Sequence, residues 1–468
     1  MLLEKLLKRL LVLQSLMSNS KQHIVTRFAP SPTGLFHVGS YRTALFNYLF
    51  AKKHNGKLIL RIEDTDKERS KKEFEENIYE SFKWLGITFN ETYRQSEQIA
   101  SHTKHLKQLI ADGYAYISKE EIVKEGGRSE VIRFKNPNTT ITFTDLIRGD
   151  ISFDTTDLGD FVIAKSIEEP LFHLAVVVDD YEEGVTHIIR GEDHISNTPR
   201  QILIRRALGA PEAIYAHIPL VLAPDRSKLS KRHGAKPVTE YKERGFFPEA
   251  VLNYMALLGW NPGTGQEIFS LAELVEVFDI SKVQKGGAIF SEEKLRWFNR
   301  EHLRKLPLNE IKTEILSQIK NNTEIIKNNW TIENDVFDRL LPIIEERIYT
   351  LHDVDTLINE GDFDYVFTQP EYDIKKIHWK KEEDLTNTTH YLSEIVTKLN
   401  TINSQSFTQT AIKEALWSFA EEKGKGNVLW PMRYALSGKD RSPDPFQLAE
   451  LLGKDETLQR LQKAIQSL

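Results

Sequence analysis

Cysteine is absent from all 468 residues. That excludes disulfides, thiol nucleophiles and any cysteine-built zinc site, and it leaves the compartment open. A strong charge of one sign is also missing, the formal net charge being -6. Nothing global announces a nucleic-acid partner, although a basic patch on one face can sit on an acidic chain. No apolar run approaches the roughly 20 residues that a membrane span requires. Internal repeats and low-complexity tracts are missing too. What remains is an ordinary globular composition, 40% apolar and 28% charged, over a length that predicts about three domains.

The first twenty residues stand apart. Leu2, Leu3, Leu6, Leu7, Leu10, Leu11 and Leu13 recur at helical spacing, with Lys5, Lys8 and Arg9 between them. They fit an organelle transit peptide, an appended amphipathic helix, or a start upstream of a true one at Met17. The interrupting charges argue against a secretory signal.

Ile24 to Phe28 reads as a short buried strand. Pro30-Ser31-Pro32-Thr33-Gly34 then forms a rigid loop, because proline fixes φ and glycine permits a sharp turn. The spacing of Tyr41, Leu45, Tyr48 and Leu49 predicts a helix from about Val38 to Lys53, ended by Asn55-Gly56. Leu58 to Ile62 is a second apolar strand. This β-loop-α-β unit implies a parallel, right-handed, doubly wound sheet. Ser70 and Glu73 have capping-box spacing ahead of a helix carrying Phe74, Ile78 and Phe82. From about Tyr116 to Phe172, short alternating segments such as Val131 to Phe134 and Ile151 to Phe153 predict a small β-rich insertion. Leu174 to Val178, apolar and bounded by Asp179-Asp180, is expected to resume the buried sheet. From about Ser270 helical periodicity dominates, with solvated loops and helix faces over Lys320 to Trp330 and Lys375 to Glu383.

Three local features carry chemistry. His37-Val38-Gly39 opens the first helix, and a helix N-terminus attracts phosphate through its free N–H groups and positive dipole end. A capping histidine would look the same. Lys228-Leu229-Ser230-Lys231-Arg232 puts three cations in five residues after Ala223-Pro224-Asp225. Such a run is either a solvated loop or a neutraliser of triphosphate charge. Arg27, Glu63 and Arg190 lie near the ends of apolar strands, where open parallel sheets bind ligands, or else pair with structural carboxylates.

Together these residues form a pattern. Arg27 to Gly34 followed by His37-Val38-Gly39 resembles the first signature motif of class I aminoacyl-tRNA synthetases in its glutamate form, and Lys228 to Arg232 resembles their second. Arg61 to Asp66, Arg190 to His194 and Gly424 to Gly438, with Leu429-Trp430-Pro431-Met432-Arg433 inside it, resemble further glutamyl-type blocks. The resemblance runs from about His23 to the C-terminus. It implies a Rossmann-like α/β catalytic fold with a small β-rich insertion, followed by an all-helical anticodon-binding region. The implied layout is an extension over 1–20, catalytic halves over 21–115 and 173–230, and an acceptor-binding insertion over 116–172. A stem-contact region starting with a mobile lysine-rich loop would occupy 231–305, and the helical domain 306–468.

The resemblance also implies roles. Arg27 and Arg190 would clamp the substrate's side-chain carboxylate, which suits the planar guanidinium fork. Ala29, Ser31, Glu63, Phe172 and His194 would complete the amino-acid site, with Glu63 on the ammonium group. His37 and Gly39 would bind ATP phosphates. Asp193, Val221, Lys228, Ser230, Lys231 and Arg232 would frame the nucleotide, Lys231 stabilising the transition state. The implied substrates are ATP with Mg²⁺, L-glutamate and tRNA(Glu), with tRNA(Gln) as the alternative second acceptor. The expectation is a cytoplasmic monomer without zinc. Phe172 stands where the family usually has tyrosine, Val176 where asparagine is common, and Ser40 where the wider class has histidine. The first two replacements remove polar contacts worth about 1 kcal/mol each.

Other classes fit less of the chain. A glutaminyl enzyme would have a β-rich anticodon part, and a truncated relative that glutamylates a modified base would lack the helical third. A small-molecule nucleotidyltransferase would not need this length. A non-catalytic tRNA-binding module would not need Arg27, Glu63, His37 and Lys231 together.

Overall fold

The structure, a computed structural model, describes residues 23–120, 129–229, 236–371, 373–379 and 385–468. The leucine-rich first twenty residues and Ser230, Lys231 and Arg232 lie outside the described residues. The chain divides into two compact units, residues 1–302 and 303–468.

The first unit opens with β1 (Val25–Phe28), α1 (Val38–Lys53) and β2 (Lys57–Ile62), then α2 (Lys72–Leu85), β3 (Glu91–Arg94) and α3 (Ile99–Ala111). The predicted β-loop-α-β unit is therefore present. Tyr41, Leu45, Tyr48 and Leu49 of α1 are buried, as their spacing demands. The chain leaves α1 through Asn55, whose φ is 53°, a conformation that asparagine tolerates. The expected capping box at Ser70 is not formed. Helix α2 begins one residue later, with Lys71 as its N-cap and no side-chain cap. Among the described residues a capping box appears instead at Ser270 and Glu273.

Eight strands follow: β4 (Ala115–Lys119), β5 (Glu130–Phe134), β6 (Thr140–Asp145), β7 (Gly149–Asp154), β8 (Phe161–Ser166), β9 (Glu169–Pro170), β10 (His187–Gly191) and β11 (Ile214–Ile218). Helix α4 (Phe172–Glu182) precedes β10, and α5 (Thr198–Ala207) separates β10 from β11. The main sheet runs β3-β2-β1-β10-β11-β6-β7. It is parallel from β3 to β6, with β7 antiparallel at the edge. The inserted segment is split. Strands β4, β5, β8 and β9 make a separate antiparallel sheet, while the β6–β7 hairpin extends the main one.

Leu174 to Val178 is helix, not the expected strand. A run that is apolar throughout is buried on every side, so periodicity cannot distinguish the two states. The correction matters for the site. On a helix, Phe172, Val176 and Asp180 stand four residues apart on one face, and Asp179 and Glu183 form the adjacent stripe. One short helix thus brings two apolar side chains and three carboxylates toward β1 and β2.

Helices α6 (Val238–Glu243), α7 (Pro248–Leu257), α8 (Leu271–Val277) and α9 (Glu292–Leu303) complete this unit, with β12 (Val221–Leu222) paired to β13 (Ala288–Ile289). Their apolar faces join α1 in one core, in which Phe46, Trp260 and Phe278 pack ring against ring.

The second unit is helical among its described residues. Helix α10 (Leu308–Asn321) buries Ile311, Ile315 and Ile319 at four-residue spacing. The block noticed in the sequence forms one helix, Lys425–Ser437, bounded by Gly424 and Gly438. Gly438 has φ 68°, the left-handed end that a glycine permits. Gly426 leaves room for Trp379, since a Cβ there would come within 2.6 Å of the indole. Trp430 donates from Nε1 to the Lys376 carbonyl at 2.9 Å and carries the Arg433 guanidinium 4.6 Å from its ring centre. Among the described residues no helix is long and apolar enough to cross a membrane.

Candidate active site

Strand order reverses between β1 and β10, and ligands of open α/β sheets bind at that switch, beyond the carboxyl ends of the strands. A cavity of about 570 Å³ opens there. Each expected site residue that the structure describes lines it. Arg27, Ala29 and Ser31 come from the end of β1 and its loop, and Glu63 follows β2. Phe172 and Val176 enter from α4. Arg190, Asp193 and His194 follow from β10, with Val221 and Lys228 beyond β11. His37 and Gly39 stand at the start of α1.

The proline-rich loop is fastened at several points. Glu63 N donates to the Pro30 carbonyl at 3.0 Å, Lys71 N to Pro32 O at 3.0 Å and Thr33 N to Ser31 O at 2.8 Å. The first turn of α1 holds no acidic residue, so nothing there opposes an anion at its positive end. At Gly39 a Cβ would stand 3.3 Å from the His37 ring, so glycine lets imidazole and backbone share one wall.

Beyond β11 the chain folds back on itself. Leu229 N donates to Val221 O at 2.9 Å, which brings Lys228 beside β12. Lys228 Nζ donates to Asp193 Oδ2 at 2.9 Å. Burial alone would raise the Asp193 carboxyl, but Lys228 holds it below its ordinary value. Gly191 allows this geometry, because a Cβ there would meet Asp193 Oδ1 at 2.5 Å. Burial, with Arg190 close by, pushes the His194 imidazole down to about 4, so it is neutral near pH 7.

The two arginines differ in kind. Arg27 donates from Nε to Asp180 Oδ1 at 3.1 Å. Arg190, 6% exposed, donates from Nε to His217 Nε2 at 3.2 Å, from Nη1 to Gln201 Oε1 at 2.7 Å and from Nη2 to Thr198 Oγ1 at 2.8 Å. Among the described residues it bonds no carboxylate. Glu192 is taken by Arg148 and the Leu220 amide, and Asp193 by Lys228. Burial, with Arg27 nearby, pushes the Arg190 guanidinium down to about 10. Three of its five N–H groups are used, two have no hydrogen-bond partner among the described residues, and the side chain lines the cavity. An oriented, desolvated cation without an anion is a site for an anionic ligand.

Behind Arg27 lies a charge cluster that the sequence reading missed. Arg61, fully buried, stands 2.9 Å from Asp180, 2.7 Å from Glu183, 3.3 Å from Glu63 and 3.7 Å from Asp179. Gln95 and His102 hold Asp179 from the far side, at 2.8 Å and 2.5 Å. Burial raises the Glu63 carboxyl against the pull of Arg61 and Arg27. The Asp179-Asp180 doublet at the end of an apolar run was the available signal for this cluster. Arg42 was missed as well. It lines the cavity and donates to the carbonyls of Leu258, at 2.9 Å, and Pro219.

Comparison with known proteins gives one result throughout. The family described as tRNA synthetases class I (E and Q), catalytic domain, matches residues 23–125 and 117–297, and an anticodon binding domain family matches 295–465. The chain is 39% identical to the glutamate--tRNA ligase of Carboxydothermus hydrogenoformans over 93% of this chain and 98% of that one. It is 39% identical to that of Aquifex aeolicus over 94% and 89%. Among solved structures, a glutamate tRNA ligase from Elizabethkingia meningosepticum in complex with its amino acid superposes with a TM-score of 0.82. That pair is 32% identical over 96% of this chain and 100% of the other.

Proposed function

The chain belongs to the glutamate–tRNA ligase family of class I tRNA synthetases, and from that premise we propose how the cavity divides the work of joining glutamate to tRNA. The enzyme ligates glutamate to tRNA at the expense of ATP. The glutamate α-carboxylate attacks the α-phosphorus of ATP, and diphosphate leaves. The terminal ribose hydroxyl of tRNA then attacks the carbonyl of the adenylate, and AMP leaves. No protein nucleophile takes part, so catalysis is positioning plus charge stabilisation.

In this reading Arg190 and Arg27 receive the glutamate side-chain carboxylate and Glu63 receives the ammonium group. Ala29, Ser31, Phe172 and His194 shape the remaining walls. Val176 and Phe172 leave the α-amino end an apolar flank, so Glu63 carries that contact with little help. His37, Gly39 and the start of α1 take the ATP phosphates, and Asp193, Val221 and Lys228 the nucleoside end. Ser230, Lys231 and Arg232 are assigned by resemblance alone, Lys231 to the charge that develops on the leaving diphosphate. Mg²⁺ enters with ATP, as the substrate complex. The observation that carries the reading is Arg190, a buried guanidinium whose hydrogen-bond partners among the described residues are all neutral, in the lining of a cavity that the start of α1 also lines.

The test is aminoacylation with purified tRNA(Glu) and tRNA(Gln) supplied separately. Glutamate on tRNA(Glu) is the expected product, and charging of tRNA(Gln) as well would mark a non-discriminating enzyme. Failure to charge either tRNA would end the assignment. Lys231→Ala is expected to slow adenylate formation about 10²–10³-fold with little change in glutamate affinity, because a contact made in the transition state is lost. Single-turnover activation with tRNA present measures it, and a wild-type rate would remove Lys231 from the mechanism.

We also propose that no zinc is needed. The chain has no cysteine, and among the described residues no group of three or more His, Asp or Glu side chains could hold a metal. Elemental analysis of protein purified without added metal should give no stoichiometric zinc. Activity lost to a chelator and restored by zinc but not by Mg²⁺ would contradict this.

A further inference from the structure

His217 stands at the end of β11, fully buried, between two groups of opposite demand. On one side its Nδ1 lies 2.7 Å from Asp145 Oδ2. On the other, Arg190 Nε points at its Nε2 from 3.2 Å. A carboxylate only accepts, so Nδ1 carries the hydrogen. A guanidinium only donates, so Nε2 must be bare. Thr198 Oγ1 also lies 3.1 Å from Nε2. With Nε2 bare, its hydroxyl donates to that nitrogen and accepts from Arg190 Nη2, the His194 carbonyl at 3.0 Å being the hydroxyl's other acceptor. The ring lies parallel to that of Tyr215 and offset from it, with the planes 2° apart and the ring centres 6.1 Å apart.

Asp145 is the last residue of β6, in the segment inserted between the two halves of the sheet. It is itself fixed, accepting from the backbone amides of Ile147, Arg148 and His217 at 2.9 Å each. Its backbone lies beside Tyr215 in the parallel pairing of β6 with β11. The run of contacts therefore goes from the inserted hairpin through one carboxylate and one imidazole to the Arg190 guanidinium in the cavity lining.

We propose that Asp145 and His217 are positioning residues for substrate selection. Asp145 selects the His217 tautomer, His217 presents its bare nitrogen to Arg190 Nε, and the guanidinium is thereby turned so that its free N–H groups face the side-chain carboxylate of glutamate. This rests on the reading that Arg190 receives that carboxylate. With the other tautomer two N–H groups would confront each other, and the arginine would rotate or withdraw. The energetic logic is that of a ligand-bearing group oriented by the partner behind it. Neither Asp145 nor His217 touches substrate.

Three variants separate this role from simple packing. His217→Gln puts a carbonyl oxygen near the place of Nε2 and keeps the acceptor. His217→Asn puts an amide near the place of Nδ1 and loses it. Asp145→Asn offers an amide N–H where a carboxylate oxygen was and forces the wrong tautomer. Each is measured for thermal midpoint, for KM of glutamate and of ATP, for kcat, and for the glutamate-to-glutamine ratio in kcat/KM. Expected for His217→Asn and Asp145→Asn is a rise of about 10-fold in the glutamate KM and a matching fall in the ratio, with kcat and the ATP KM within about 3-fold. His217→Gln should stay within about 3-fold of wild type in all four. The double variant Asp145→Asn/His217→Gln should recover most of the loss, because glutamine has no tautomer to mis-set. A ratio unchanged in His217→Asn, or equal losses in His217→Gln and His217→Asn, would overturn the proposal. If Arg190→Gln keeps the wild-type ratio, the reading of Arg190 fails. If Arg190→Gln loses the ratio while the His217 variants keep it, only the positioning pair fails.

Discussion

Arg190→Gln is expected to shrink the preference for glutamate over glutamine in kcat/KM by on the order of 10³, about 4 kcal/mol, chiefly through the glutamate KM. The size follows from the surroundings of Arg190. Its guanidinium is out of water and already turned by His217, Gln201 and Thr198, none of them an anion. In the proposed reading a glutamate carboxylate supplies the missing charge. A glutamine carboxamide leaves guanidinium donors unpaired or facing an amide N–H₂, and an unsatisfied buried charge costs more than a missing neutral bond. Removing the cation removes that penalty. Arg190→Lys should be tolerated in part, because an ammonium carries the charge but cannot make the bidentate contact. The competing idea is that Arg190 only supports the fold by pairing with Glu192 or Asp193, but both are bonded elsewhere. Measuring thermal stability and amino-acid preference on one preparation separates the two. A variant that melts early yet keeps its preference would refute the assignment.

The legible parts of this chain were the local ones. Strand β1, its proline-rich loop, α1 and β2 fill one continuous stretch of sequence, and each boundary carries its own chemistry, such as the Asn55-Gly56 stop. The cavity residues were legible because strand ends in a parallel sheet converge, so Arg27, Glu63 and Arg190 could be placed before their distances were known. Leu174 to Val178 failed for the opposite reason, since an unbroken apolar run carries no period. The partners of the arginines were invisible because they are distant in sequence. Arg27 and Asp180 are 153 residues apart, Arg61 and Glu183 are 122 apart, and His217 and Asp145 are 72 apart. Nothing in the local pattern ties such pairs. The segment from Tyr116 to Phe172 read as one β-rich piece, because alternation reports a strand but not which sheet receives it. That is why the β6–β7 hairpin, and with it Asp145, joined the main sheet unannounced.

Asp180→Asn is expected to destabilise the first unit by about 3 kcal/mol at pH 5, at the low end of the 3–5 typical when one partner of a buried ion pair is removed. Asp180 serves two guanidiniums, and they lose unequally. Arg61 retains Glu63 and Asp179 within ion-pair distance and its contact with Glu183, whose carboxyl is largely protonated at pH 5. Arg27 retains none, because among the described residues Asp180 is the only carboxylate within ion-pair distance of it. The pH dependence is the sharper expectation. Burial would raise Asp180, but Arg27 and Arg61 hold it at about 2 against an ordinary 3.8. Its stabilising contribution is therefore complete above 3.8 and is lost as pH falls toward 2. Glu183 runs the other way. Burial, with Asp180 and Asp179 close by, pushes it up to about 7 despite Arg61. A raised carboxyl contributes stability below its ordinary value of 4.5 that is lost as pH rises through about 7. Removing the Asp180 charge lets Glu183 ionise more readily beside Arg61, so the variant loses less than wild type across that interval. The cost of the substitution should accordingly shrink between pH 5 and pH 8. Denaturant melts of both proteins at the two pH values measure it. A cost that is constant, or that grows toward pH 8, would mean that Glu183 and Asp180 do not share Arg61 in the way the distances imply.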